Sequence, residues 1–301
     1  MQIKTHYRTE FYIVLIVKLC KGCGDVFIVF RQNEIEKGYF KRKKQIKRIR
    51  KSDVQTVKSE SGLPFYIVDI PVCNGEILWN GIEEKCGKYA SRIVASRDVP
   101  IPDSNKLKRY IPTVLPSEII FNTAICVLKS AACKPDSFAL TLTDRNGILA
   151  RRTSELLPLS STVRIITGSP EKYARPVAEA MTDYGATLII REAHFPTEKR
   201  EIVICCDGAS SPSMQECAVF SHKKYACGKL RLCGSSISLT TEHSEIIGDY
   251  IQPVDFAGAL SELCSSQVYS SSVFSDTEIN STSCNISHLC ECISAFCTSN
   301  A

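Results

Sequence analysis

Residues 163–206 read VRIITGSPEKYARPVAEAMTDYGATLIIREAHFPTEKREIVICC, and the order of apolar runs and turn residues in this stretch decides the fold class. Val163 to Thr167 is β-branched and apolar, the composition of a strand. Gly168-Ser169-Pro170 breaks the run and leads into a helix from about Glu171 to Tyr184. Pro suits its first turn and Gly185 its end. Thr187 to Ile190 and Ile202 to Cys206 are further apolar runs, the second stopped by the turn pair Asp207-Gly208. Strand, helix and strand at this spacing imply a crossover connection and a parallel sheet. The link from Ile190 to Ile202 leaves little room for another long helix.

Toward the N-terminus, Phe138 to Thr143 is a strand, followed by a turn at Asp144 to Gly147 and a helix through Leu157. Pro116-Ser117-Glu118 opens a longer helix, with Ile120, Ala124, Val127, Leu128 and Ala131 on one face and Pro135 as its stop. Four prolines between Val99 and Pro116 predict an extended connector. Glu83 to Ala95 is expected to be helical, with Gly81 and Gly87 unfavourable to it, and Phe65 to Ile70 is a strand ended by Pro71. Phe11 to Leu19 and Val26 to Phe30 are expected to pair across Cys20-Lys-Gly-Cys-Gly24. Toward the C-terminus, Ala218 to Phe220, Lys229 to Cys233 and Ile237 to Leu239 are strand candidates, and Pro253 to Leu263 is a helix. Residues 264–301 hold eleven serines, three acids and no Lys or Arg, which predicts a flexible tail. The organisation is therefore an N-terminal hairpin region (1–36), a basic linker (37–62), a small α+β region (63–135), an α/β domain (136–263) and the tail (264–301).

With 301 residues and 44% apolar content the chain can bury a substantial core without staples. Its sixteen cysteines therefore read as reduced thiols, several inside apolar runs, and a cytoplasmic setting is expected. Phe11 to Val17 is too short and too closely flanked by Glu10 and Lys18 for an export signal or a membrane span, and no transmembrane segment is expected. Lys37 to Lys51 holds nine basic residues and no acid, so the formal charge of +5 is a local feature. That segment is suited to contact with nucleic acid or an anionic membrane, or to a solvated linker.

The layout from about 160 to 264 resembles the NAD(P)-binding Rossmann superfamily. The resemblance implies that Val163 to Gly168 is the first strand and its turn, Thr187 to Arg191 the second strand, and Arg200 to Cys206 the strand before the nicotinamide loop. It further implies that Glu192 would hold an adenosine ribose, or that Arg191 would suit a 2′-phosphate. The fingerprint needs three glycines, for a tight turn, close pyrophosphate approach and helix packing. Gly168 is followed instead by Ser169 and Pro170, a turn that suits one anion better than a dinucleotide.

Ligands of open α/β sheets bind beyond the carboxyl ends of strands, which nominates Gly168, Ser169, Glu192, His194, Cys206, Asp207 and Gly208. Cys206, Asp207 and His194 would support nucleophilic or acid–base chemistry if they met. Cys20 and Cys23 have zinc-knuckle spacing, which Cys73 and Cys86 could complete, and Cys284, His288, Cys290, Cys292 and Cys297 form a denser C-terminal group. The expectation is an α/β protein with a Rossmann-like, mostly parallel sheet in its C-terminal half, preceded by a smaller α+β region. Sensing of a small ligand or binding of a protein partner is the leading function, with a divergent NAD(P)-dependent oxidoreductase and a nucleic-acid-associated protein as alternatives.

Overall fold

The structure, a computed structural model, describes residues 27–34, 54–58, 64–73, 76–77, 79, 82–102, 106–131, 133–194, 200–206, 214–222, 228–249, 251–265, 269 and 271–298. The expected N-terminal pairing with Cys20 and Cys23, the basic segment Lys37 to Lys51, and Asp207 with Gly208 lie outside these residues.

Among the described residues the strands form two sheets. The smaller holds β1 (Ile28–Glu34), β2 (Val54–Lys58), β3 (Pro64–Cys73), β4 (Glu76–Ile77) and β5 (Ile93–Val94), with β1 parallel to both β3 and β5. Val29 faces Ile67 and Phe30 faces Val68, so a period of two sends Phe27, Val29, Phe65 and Ile67 to one face and Ile28, Phe30, Val68 and Ile70 to the other. These side chains are buried on both faces, and Phe27 to Phe30 accordingly reads as a continuous apolar run. Pro71 does not end β3. Among the described residues β3 pairs at that position with β1 alone, so the missing N–H falls where no second described neighbour needs it.

The expected helix over Glu83 to Ala95 is shorter. It forms α1 (Ile82–Cys86), stops at Gly87 with a φ of +49°, and yields to β5, whose Ile93 and Val94 are buried. The left-handed backbone at Gly87 ends the helix.

In the larger, eight-stranded sheet, β6 (Phe138–Thr143), β7 (Val163–Ile166), β8 (Leu188–Arg191), β9 (Arg200–Cys205), β10 (Ala218–Ser221) and β11 (Leu230–Ser236) are parallel. β12 (Asp276–Ile279) and β13 (Thr282–Cys284) extend the β11 edge as an antiparallel pair. The fold is thus mixed α/β with a mostly parallel sheet. One face is covered by α2 (Val114–Ala131), which crosses β9 and β10, and by α5 (Pro253–Cys264) and α6 (Ile286–Thr298), which flank α2. α3 (Ala174–Tyr184) connects β7 to β8 and ends at Gly185, whose φ of +61° forms the expected left-handed cap. Short α4 (Thr241–Ile247) precedes α5. The segment before Leu157 is a 3-10 helix, Ala150–Leu156, and Leu239 makes only an isolated bridge to Tyr269.

α2 is, by length and composition, apolar enough to cross a membrane. Its apolar residues are used in the core instead: Ile119, Ile120, Phe121, Ala124 and Val127 are all at most 1% exposed. Burial on several sides reflects its place among the sheet, α5 and α6. The small sheet joins this core through Phe256 of α5. Phe27 and Phe65 stack at 5.5 Å, and Phe256 meets Phe65 edge-on at 5.5 Å.

The serine-rich end is a correction. Residues 276–298 form β12, β13 and α6, not a flexible tail. Asn280 and Ser281 both take positive φ, 50° and 72°, as a two-residue hairpin turn requires. Leu289, Ile293 and Cys297 follow at four-residue spacing and are buried against the core. Average composition conceals such a stripe, because its serines lie between the apolar positions. Ile293→Ala is therefore expected to cost about 2–4 kcal/mol in urea denaturation, with exposed Ser287→Ala close to neutral; equal, negligible effects would mean that α6 does not pack.

Candidate functional site

The parallel strands lie in the order β8-β7-β6-β9-β10-β11. The chain winds outward from β6 in one direction and from β9 in the other. At such a reversal the carboxyl ends of the two central strands leave a crevice. Here the crevice is a cavity of about 370 Å³. Asp144 and Arg145 reach it from the end of β6, Cys205 and Cys206 from β9, His222 from beyond β10, and Pro116 and Ser117 from the first turn of α2. The opposite wall is the proline-rich connector, with Arg97, Arg109 and Tyr110.

One face of α5 holds that connector in place. Asp255, Gly258 and Glu262 fall on it at helical spacing. Arg97 donates through Nε and Nη2 to the two Asp255 carboxylate oxygens at 3.1 and 3.0 Å, a fork-shaped pairing. A Cβ on Gly258 would stand 2.4 Å from Pro112 Cβ, so only glycine lets the connector approach. Glu262 accepts the N–H groups of Thr113, Val114 and Leu115 at 3.0, 2.9 and 3.3 Å, and the Tyr110 hydroxyl at 2.9 Å. A carboxylate from another helix thus satisfies the amides that open α2. Burial and this carboxylate push the Tyr110 hydroxyl well above its ordinary pKa. Ser117, expected near the helix start, lies within a helix that begins at Val114, and its hydroxyl donates to Thr113 O at 2.7 Å.

The first strand of the sheet's winding is β6, so the turn that matters is Asp144 to Gly147. Asp144 is 1% exposed. Its carboxylate accepts Ile148 N at 2.9 Å, Leu149 N at 2.7 Å and the Tyr173 hydroxyl at 2.7 Å. The amides a phosphate would need are committed to it. Burial and Asp144 push the Tyr173 hydroxyl far upward.

The turn at Gly168-Ser169-Pro170 follows the second strand, β7, and serves packing. Gly168 N donates to Arg145 O at 3.0 Å, and Lys172 Nζ donates to Asn146 O at 2.6 Å. Ser169 makes no side-chain cap; its own N–H is accepted by Thr167 Oγ1 at 3.1 Å. Arg191 and Glu192 are exposed at the end of β8, the edge strand, and are not among the residues lining the cavity. Counted outward from the reversal, β8 is the third strand and β7 the second. At the end of β7 stand Thr167 and Gly168, neither an acid.

Cys206 does line the cavity, with its thiol 3.7 Å from Ser117 O. His194 goes elsewhere, placing Nε2 3.0 Å from Glu201 Oε2. The imidazole that reaches the cavity beside Cys206 is His222. Among the cations, Arg109 donates through Nη1 to Arg97 O at 3.1 Å and Nη2 to Val99 O at 2.6 Å, while its buried Nε has no partner among the described residues. Burial draws its pKa down from the usual value. Arg145 is exposed.

Of the expected zinc ligands within the described residues, Cys73 ends β3 and Cys86 packs beside Ile82 and Ala90. Burial, reinforced by Glu83, pushes the Cys86 thiol up to about 12, which suits a packing residue. In the C-terminal group, Cys297 is buried, Cys284 contacts Thr277 Oγ1 at 3.6 Å and Cys292 contacts His288 Nε2 at 3.7 Å. Arg97, Arg109, Arg145, Asp144 and His222 were not foreseen. Only Asp144 and Arg145 carried a sequence signal, as the residues directly after an apolar strand.

Comparison with known proteins finds no matching family model, curated protein or solved structure. The chemistry of the site must be read from its own residues. Asp144→Ala would strand two backbone amides and a buried hydroxyl, an expected loss of about 2–4 kcal/mol. Asp144→Asn keeps an acceptor and should lose less. Urea denaturation of the two variants checks the order, and equal losses would show that the carboxylate does not hold the turn.

Proposed function

We propose that this chain is a Rossmann-like protein that binds a small anionic ligand, a phosphate- or carboxylate-bearing metabolite, in the cavity at the strand reversal, as a sensing module. The carrying observation is the cavity itself, about 370 Å³ at the carboxyl ends of β6 and β9 and walled by Arg97, Arg109 and Arg145. Counted from β6, the strand order becomes 3-2-1-4-5-6, the order of doubly wound nucleotide-binding sheets, which supports the Rossmann-like reading.

Charge supports an anion. The two carboxylates lining the cavity are already engaged, Asp144 by the turn amides and Tyr173, Asp255 by Arg97. Arg109 and Arg145 make no ion pair among the described residues. The volume lies near the low end of small-molecule pockets, which run from about 300 to 1,000 Å³.

The NAD(P)-dependent alternative is weakened by particular residues. Asp144 fills the phosphate position, the β7 turn has a single glycine, and the connection after β6 is a 3-10 helix in place of the long helix whose N-terminus would face a pyrophosphate. We place the protein in a reducing compartment, a reading supported by buried thiols such as Cys205 and Cys264 that serve as packing residues.

Thermal melting of the full chain with inorganic phosphate, AMP, malate, NAD and NADPH tests this. A small anion at a hundredfold excess over its Kd should add about 2.7 kcal/mol, and NAD should shift melting no more than AMP. Arg145→Glu, at an exposed position, should abolish the shift and leave the unliganded melting temperature near that of the parent. No shift with any anion, or a shift insensitive to Arg145→Glu, overturns the proposal.

A further inference from the structure

The face of the large sheet opposite α2 carries a polar group of three residues, His194, Glu201 and Cys217, that are not among those lining the cavity. Alternation along β9 sends Ile202 and Ile204 into the main core and Glu201, Val203 and Cys205 to this second face. The Glu201 side chain is 3% exposed, as is that of His194, and Cys217 is 4% exposed. Each comes from a different part of the chain: His194 from the link after β8, Glu201 from β9, and Cys217 from the residue before β10.

The two oxygens of Glu201 are used differently. Oε1 accepts a hydrogen bond from Thr141 Oγ1 and lies 3.9 Å from Arg164 Nη1. Oε2 faces His194 Nε2 at 3.0 Å and Cys217 Sγ at 3.6 Å. Burial alone would raise the Glu201 carboxyl, but the hydrogen bonds from His194 and Thr141 outweigh it and hold the group below its ordinary value. An outer shell thus orients one oxygen and leaves the other facing an imidazole and a thiol. All three donor atoms lie within 4.8 Å of one another.

We propose that His194 Nε2, Glu201 Oε2 and Cys217 Sγ form a zinc site. Metal bonds of about 2.0–2.1 Å to N and O and about 2.3 Å to S, at tetrahedral angles, place N and O about 3.3 Å apart and S and O about 3.5 Å apart. The 3.0 and 3.6 Å separations are already close to those edges. Imidazole, carboxylate and thiolate together select zinc over magnesium or calcium, which favour all-oxygen sites. Metal entry sends the Cys217 thiol proton to solvent and requires neutral His194 with its proton on Nδ1. Water completes the fourth position. The ion would serve as a staple that ties the link after β8 to β9 and to the residue before β10. Val203, Cys205, Met214, Cys217 and Val219 form a small separate cluster here.

The test is zinc analysis of the full chain, purified without chelators, loaded with zinc and gel-filtered. One bound zinc per chain is expected in the Cys20→Ser/Cys23→Ser double variant, which keeps the three ligands and removes the N-terminal thiol pair. Cys217→Ser or His194→Gln in that background should lower zinc retention at least tenfold. X-ray absorption at the zinc edge, measured in the same background without further substitution, should show one sulfur and three nitrogen or oxygen neighbours. That spectrum decides the matter even where a ligand variant fails to fold. No retained zinc, two or more sulfur neighbours, or retention unaffected by Cys217→Ser overturns the site and leaves a hydrogen-bonded cluster only.

Discussion

The carboxylate of Glu262, on one helix, closes the start of another. α2 is buried on several sides along its length, while the amides that open it lie at its more exposed start and need acceptors from outside the helix. Glu262 supplies them from α5, and the same face of α5 grips the connector through Asp255 and Gly258. The connector carries Arg97 and Arg109 to the cavity and leads back to the small sheet through β5. Without this clamp the cavity would lose one wall, and the small sheet would depend on the contacts of Phe256 with Phe27 and Phe65. Several charge-assisted hydrogen bonds converging on two side chains make α5 the element on which the others are assembled.

The two sides of the large sheet divide the chemistry. Toward α2 the strand residues are apolar and the cavity opens only at their carboxyl ends, where cations gather. On the second face, polar residues of β6, β7 and β9 meet: Thr141, Arg164 and Glu201 are neighbours across the strands. Burying such groups is costly unless each is matched, and Glu201 is matched at both oxygens. The same alternation that builds a dry core on one face builds a donor cluster on the other.

Much of the fold was legible in the residues. The runs Val163 to Thr167 and Ile202 to Cys206 and the strand at Phe138 lie within a residue or two of their observed elements, and the helix expected from about Glu171 begins at Ala174 after a 3-10 turn and ends at Gly185 as expected, because β-branched runs and a left-handed glycine act locally. Cys206 was read as a strand-end residue and does reach the cavity. Arg191 and Glu192, at the end of β8, do not line the cavity, whereas Asp144, at the end of β6, does. β7 resembled a first strand because a glycine follows it; β6, followed by a buried aspartate, is the strand beside β9 at the reversal.

The amino-acid sequence by itself determined the alternation of strands and helices, the parallel character of the main sheet and the poverty of its glycine turn, since each depends on residues within a few positions of one another. Only the tertiary structure decided which strand lies at the reversal, that α6 packs through Leu289, Ile293 and Cys297, and that Glu262 meets Thr113 across a separation of 149 residues. His194 shows the same limit. Its position after a strand end suggested a partner in Cys206, and the chain instead carries it beneath the sheet to Glu201. Pairings of this kind depend on strand order and on which face a residue occupies, and neither is encoded by local spacing.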